Sequence, residues 1–296
     1  MTRPIPAPVT GALPRAVAAL TIALALTWVG WPVWASGSAP DRAALAAEVP
    51  WVLGALASLL VLLGFTLWLA AGRSFAPFAP ASLLGAAAVL TPHYLHPGTG
   101  GVELLYVFPL VAGVVLGAPA GLLTGASAAL ISAVAGGTVG TPLPAQALVW
   151  GLWGVAGALL RPLGTVAAWL WAAVLCVPLG PLSGLLLNLT GWPGEQSDAG
   201  AFLPGLPPWE SARRLVEYTW TTSFAYDLTR GVTCAVTMAL IGLPLLAALR
   251  RSHDPRSLPV AAGAQPVAVV AAHSLDRRAR SRRLENLWTN QGDPDD

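Results

Sequence analysis

The sequence predicts an all-α, polytopic membrane protein, and three observations predict it. Of 296 residues, 55% are hydrophobic and only 10% are charged, against about 25% charged in a typical soluble domain. The mean hydropathy is +0.65. The apolar residues also fall into runs near the length of about 20 residues that a helix needs to cross a bilayer.

Eight candidate spans follow in order: Leu13–Ala35, Pro50–Gly72, Pro80–Leu95, Val102–Gly117, Ala120–Ala135, Leu143–Leu160, Gly164–Leu189 and Ser223–Leu249. Some are short and need not cross the whole bilayer. The tight turn Gly117-Ala-Pro-Ala-Gly121 joins the fourth and fifth. The first run can also be read as a signal peptide, with Arg3 and Arg15 ahead of an apolar core. Trp28, Trp31 and Trp34 favour a retained helix with an interfacial aromatic belt.

Arginine sets the expected orientation. Arg3, Arg15, Arg73, Arg161, Arg250 and Arg251 fall at the ends of alternate spans. With both termini in the cytoplasm all six lie inside, as the positive-inside rule asks. The expected location is the cytoplasmic membrane of a bacterium, with the chain passing it several times. All basic residues are arginine, which we read as GC-rich genome composition. Three regions result: 1–75 with two N-terminal spans, 76–251 as the membrane core, and 252–296 as a cytoplasmic Pro/Ala/Arg-rich tail. Within the tail, Ser274–Trp288 is read either as a surface helix on anionic lipid or as a solvated segment.

A net charge of +2 gives no argument for nucleic acid. Cys176 and Cys234 lie in apolar runs and make neither a metal nor a disulfide pattern; they read as small buried hydrophobes. No His-Glu-x-x-His, paired aspartates or phosphate loop is present. The expectation is therefore no enzyme, no metal, no cofactor and no ATPase.

The functional signal is a gathering of polar groups at the outer ends of the spans. Glu103 opens one span, while Asp227 and Arg230, three apart and on one helix face, open the last. Intramembrane charges of this kind are costly and usually functional. His93, Gln146 and Asn188 fall on the same side, with Tyr106, Trp150, Trp192 and Trp220 near them. Together they suggest an outward-facing ligand pocket. Each has a plainer reading: a helix N-terminal acid for Glu103, a structural pair for Asp227 and Arg230, interhelical glue for Asn188 and Gln146, a solvated His93 and anchoring tryptophans. Small residues four apart form a second pattern: Ala81 with Gly85, Gly113 with Gly117, and Gly121 with Gly125. These allow close helix approach, within the chain or to a partner helix.

A family resemblance rests on five stretches in order. The run Val107 to Ala133 contains Gly117-Ala-Pro-Ala-Gly121, then Leu122-Leu-Thr-Gly125 and Ser127-Ala. It is followed by Leu143-Pro-Ala-Gln-Ala, by Gly157-Ala-Leu-Leu-Arg161, by Asn188-Leu-Thr-Gly-Trp-Pro193, and by Tyr226-Asp-Leu-Thr-Arg-Gly with Gly242-Leu-Pro-Leu-Leu and Leu249-Arg-Arg251 behind it. From about Ala12 to Arg251 the chain resembles substrate-binding S components of energy-coupling-factor (ECF) transporters, in the actinobacterial-type branch with extra N-terminal helices. Two positions depart from that branch. Thr91-Pro-His-Tyr94 stands where it has Arg-Pro, and Cys234 where it often has Asn.

The resemblance implies a six-helix core after two N-terminal transmembrane helices. It implies binding of a vitamin-like small molecule outside, and docking on a transmembrane T component driven by two ATP-binding subunits, with membrane lipid around it. Ala81, Gly85 and Ala88 would then form the docking face. Glu103, Tyr106, His93, Gln146, Trp150, Asn188, Trp192, Asp227 and Arg230 would line or brace the pocket. Cobalamin is slightly favoured over thiamine precursors, riboflavin or queuosine-type compounds. The alternatives are a self-sufficient secondary transporter or channel, and a membrane scaffold without a small ligand.

Overall fold

A computed structural model describes residues 11–34, 42–94, 100–194 and 200–252. The tail, with its Ser274–Trp288 segment, lies outside the described residues, as do Arg3, Leu95 and His96. The described chain is helical: α1 (Ala12–Val29), α2 (Trp31–Trp34), α3 (Arg42–Ala70), α4 (Ala79–Tyr94), α5 (Val107–Leu116), α6 (Ala118–Gly136), α7 (Leu143–Ala158), α8 (Thr165–Gly191), α9 (Pro208–Thr222) and α10 (Phe224–Ser252).

These helices are apolar on their outer as well as their inner faces. Trp51 is 82% exposed and Leu240 74%, and Val61, Leu83, Leu170 and Val236 also point outward. A helix that is apolar all round needs an apolar medium on its outer side. The chain is therefore a polytopic helical membrane protein. Five described helices are long and apolar enough to cross a bilayer, in the segments Ala12–Val29, Leu45–Ala70, Ala118–Gly136, Thr165–Gly194 and Phe224–Ser252. The other three expected spans form the shorter helices α4, α5 and α7, of 16, 10 and 16 residues.

The stretch between the last two expected spans contains the helix α9. Pro207-Pro208 opens it, and Glu210 sits in its first turn, as helix starts prefer. Glu210 pairs with Arg213 at 2.7 Å. That hydrogen bond holds the Glu210 carboxyl below its ordinary range. Ser211, Leu215 and Thr219 face inward.

Glycine sets the spacing of the bundle. A methyl group on Gly113, Gly121 or Gly125 would strike the backbone of α7, at Gly154 for the first two and at Trp150 for the third. Gly154 in turn lies against Gly121, and Gly157 against the Leu110 carbonyl. These spacings serve packing inside the chain. A second close pair joins α8 to α10. Pro181 has no N–H to give the Val177 carbonyl, and Gly231 packs at that oxygen. Two helices end in a Schellman turn: Gly72 (φ 67°) closes α3 and Gly137 (φ 64°) closes α6.

The core runs through Leu63, Leu110, Leu122, Trp153, Met238 and Leu246. Two indoles there are satisfied: Trp153 donates to Ser183 at 2.7 Å and Trp169 to the Met238 carbonyl at 2.8 Å. At the far end of α10 from Asp227, Arg250 donates to the Leu163 carbonyl at 2.9 Å and reaches the Arg161 carbonyl at 3.4 Å. Arg161 reaches the Val115 carbonyl at 3.4 Å. Helix C-terminal carbonyls favour cations in this way.

Replacing Gly121 or Gly154 by Val should force α6 and α7 apart and destabilise the protein by about 1–3 kcal/mol, the usual range for overpacking. Gly54→Ala, where a methyl group meets nothing within 4 Å, should leave stability unchanged or slightly raised. Thermal unfolding in detergent reads both.

Candidate functional site

The chain just before α5 carries Glu103 and is not helical. Gly101 (φ 83°) makes this possible: a side chain there would strike the Tyr226 carbonyl. The segment thus runs directly against the first two turns of α10, where Asp227 and Arg230 stand.

Arg230 is the centre. Its side chain is 5% exposed, that of Asp227 3% and that of Glu103 23%. Nε donates to Glu103 Oε2 at 2.8 Å and Nη1 to Asp227 Oδ1 at 2.6 Å. Charge-assisted bonds of this length are the strong ones. The Tyr226 hydroxyl donates to the other Glu103 oxygen at 3.0 Å. Two phenol rings lie against the guanidinium, Tyr106 at 5.6 Å and Tyr226 at 5.2 Å from the ring centroids, within cation–π range.

A relay ties this cluster to α8. Asn188 Nδ2 donates to Ser223 Oγ at 2.8 Å and to Thr219 Oγ1 at 3.1 Å. Ser223 Oγ donates to Asp227 Oδ2 at 2.7 Å. Gly184 leaves the space that the Asp227 carboxylate occupies, since any side chain there would overlap it. On the other side the Cys234 thiol donates to the Glu103 main-chain carbonyl at 3.0 Å.

The expected residues separate into groups. Glu103, Asp227, Arg230, Asn188 and Tyr106 come together. Trp150 joins at one remove, meeting the Tyr106 ring edge-on at 6.0 Å, and Trp153 packs on the same ring at 4.9 Å. Gln146 is half-buried one turn earlier on α7, and no hydrogen bond joins it to this network among the described residues. His93 is elsewhere: its Nε2 meets Ser132 Oγ of α6 at 3.3 Å, and its ring packs on Gly136. Trp192 is buried in a separate cluster. There it donates to the Gly200 carbonyl at 2.7 Å and meets Phe202 edge-on. It holds the segment before α9 rather than the charges. Of the expected docking face, Ala81 and Gly85 line a lateral groove, whereas Ala88 is completely buried.

Ser223, Tyr226 and Thr219 belong to the network and are not among the expected site residues; Cys234, where the resembling branch often has Asn, belongs to it too. Their spacing was the available signal: Thr219, Ser223, Asp227, Arg230 and Cys234 recur every three or four residues, the period of one helix face. The described residues hold no group of three or more His, Cys, Asp or Glu side chains placed for a metal ion.

Fold and site together define a helical membrane protein with a buried Arg–carboxylate cluster at one end of the bundle. No known protein family, curated protein or solved structure matches the chain.

Arg230→Met leaves two buried carboxylates without their cation and should cost about 3–5 kcal/mol of stability. Adding Asp227→Asn should recover part of that loss, and a double-mutant cycle of unfolding in detergent measures the coupling.

Proposed function

We propose that the chain is the membrane-embedded substrate-binding subunit of an ECF-type importer of vitamins or related micronutrients. It captures its ligand at the outer face. It docks through α4, at Ala81 and Gly85, on a transmembrane T component driven by two separate ATP-binding subunits. The observation that carries this reading is the convergence of Glu103, Asp227, Arg230 and Asn188 from three separate stretches of chain onto one end of the bundle. An isolated structural pair needs no such convergence. A binding site does, because polar groups from several elements must meet at one place.

The orientation follows the arginines. Arg161 and Arg250 sit together at the end of α10 opposite Asp227, and Arg73 and Arg251 close α3 and α10. With that end in the cytoplasm, both termini are cytoplasmic and the cluster faces outward. The membrane is then the bacterial cytoplasmic membrane.

The charge balance narrows the ligand. Two carboxylates face one guanidinium, so the cluster carries excess negative charge. Glu103, the more exposed acid, has lone pairs left to accept a bond. An amide, amine or other N–H donor fits that field, and a phosphate does not. The amide-bearing periphery of cobalamin is compatible, as is a cationic thiamine precursor.

A thermal-shift screen of the purified chain against water-soluble vitamins tests the reading. A ligand at 100 times its Kd should stabilise the protein by about 2.7 kcal/mol. Glu103→Gln should weaken a hit at least tenfold while keeping the Tyr226 hydrogen bond. A hit indifferent to Glu103→Gln reduces the cluster to a structural lock. No hit from folded protein, together with no co-purifying T component, removes the importer reading in favour of a secondary transporter or scaffold.

A further inference from the structure

One apolar cavity shares no lining residue with the charge cluster. It is a lateral groove of about 610 Å³ between α3 and α4, floored by α6. It exists because α3 and α4 each pack on α6 and scarcely touch each other. The floor is small and apolar, with Ala120, Thr124 and Ala128. The hydroxyls of Ser82, Thr124 and Ser127 are each taken up by the carbonyl four residues earlier.

Two features mark the chain where the groove meets the end of α3. The Trp68 indole N–H, in the groove wall, is buried without an acceptor. A buried orphan donor of this kind is rare and costly. Arg73 stands beside it, tied by its own N–H to the Trp68 carbonyl at 2.9 Å. Its side chain is exposed and has no ion-pair or hydrogen-bond partner among the described residues. The Trp68 ring stacks on Phe75, which forms the adjoining rim.

We propose that this groove holds one acyl chain of an anionic membrane phospholipid, with the phosphate at Arg73 and the glycerol region against the Trp68 ring. Each part of the lipid meets a matching part of the protein. The apolar trough takes the hydrocarbon, the indole ring packs on the glycerol region at interfacial depth, and the guanidinium takes the phosphate. Volume favours a lipid chain over a partner helix. A helix about 10 Å across fills 610 Å³ within about 8 Å of its length, roughly one and a half turns. A single hydrocarbon chain is far thinner and can run the length of the trough. The proposal does not rest on vitamin binding, since α3, α4 and α6 build the groove and α8, α10 and the segment before α5 build the charge cluster. It adds one constraint to docking: a helix seated on Ala81 and Gly85 must first displace the lipid.

Native mass spectrometry of the full chain released from detergent tests this, with phosphatidylglycerol or phosphatidylcholine of matched chains titrated in. Wild type should retain one phosphatidylglycerol at activation that strips bulk lipid, and prefer it over phosphatidylcholine by about tenfold. Gly85→Leu places its side chain in the trough, where the first added carbon makes only an ordinary contact with Thr124. It should lose the retained lipid. Arg73→Asn keeps a residue that tolerates the left-handed backbone there (φ 64°) and lies on the surface, so it leaves the fold intact. It should keep lipid binding and lose the headgroup preference. Equal retention by wild type and a folded Gly85→Leu overturns the proposal. So does a preference unchanged by Arg73→Asn, and so does a chain dimer that forms through the groove without a lipid adduct. If Gly85→Leu does not fold, the Arg73→Asn preference decides alone.

Discussion

The bundle depends at one end on a single cation held by two acids in an apolar setting. Arg230 cannot shed its proton, so its charge must be answered wherever the helix carries it. Removing an ion from water costs several kcal/mol even after relaxation. Asp227 and Glu103 answer the charge, and the cost of burying them is met in turn by Ser223, Asn188 and Tyr226. The consequence is geometric. The non-helical segment before α5 cannot drift from α10 without exposing Arg230 to hydrocarbon unpaired. The tilt of α8 is likewise fixed, because Asn188 and the gap at Gly184 must both stay opposite the first turn of α10.

Glycine supplies the complementary constraint. In lipid there is little hydrophobic drive between helices, so close packing does more of the association. The α6–α7 contact is made backbone to backbone at Gly121 and Gly154, and the α8–α10 contact at Gly180 and Gly231. Helices that approach so closely leave little width for their neighbours. α3 and α4 therefore end on separate flanks of α6, and the lateral groove between them is the remainder of that tight central packing. The groove and the charge cluster share a cause. Small residues bring α6, α7, α8 and α10 together, which closes the core and opens its edge.

Much of this was legible in the sequence, and the limits are physical. The apolar runs placed most helices within a few residues, since span length is dictated largely by the bilayer, but α3 begins at Arg42 rather than Pro50 and α5 at Val107 rather than Val102. The three-residue spacing of Asp227 and Arg230 put both on one face. Their meeting with Glu103, 124 residues earlier in the numbering, followed from alternating span direction. What could not be read was lateral position. His93 and Trp192 share a bundle end with the charges by topology, yet His93 pairs with Ser132 and Trp192 with Gly200. Depth along a helix is encoded in its sequence; which neighbour it turns toward is not. Helix α9 was missed for another reason. Its signal is charge spacing at Glu210, Arg213 and Glu217, not hydropathy, and a reading tuned to apolar runs passes over it. Cys234 was read as a plain small hydrophobe. Its thiol hydrogen bond to the Glu103 carbonyl depends on a contact between segments far apart in the chain.

The two acids of the cluster are not equivalent, and the difference bears on what the cluster can do. Asp227 is 3% exposed, one helical turn from Arg230, and seated in a hollow that Gly184 keeps open. Its pairing is local and survives any movement that leaves α10 intact. Glu103 is 23% exposed, comes from irregular chain and meets Arg230 across segments. Its pairing depends on where the segment before α5 sits. Under the proposed reading, a ligand donor at Glu103 would compete with this second bond and with that from the Tyr226 hydroxyl, and not with the Asp227 pair. Arg230 then keeps Asp227, and no charge is left unpaired during the exchange. A buried triad built only as a lock has no need of that asymmetry, since two equally enclosed acids would hold the cation more firmly. Under the proposed importer reading, one fixed and one reachable carboxylate would let a ligand exchange at Glu103 without leaving a bare guanidinium in an apolar setting.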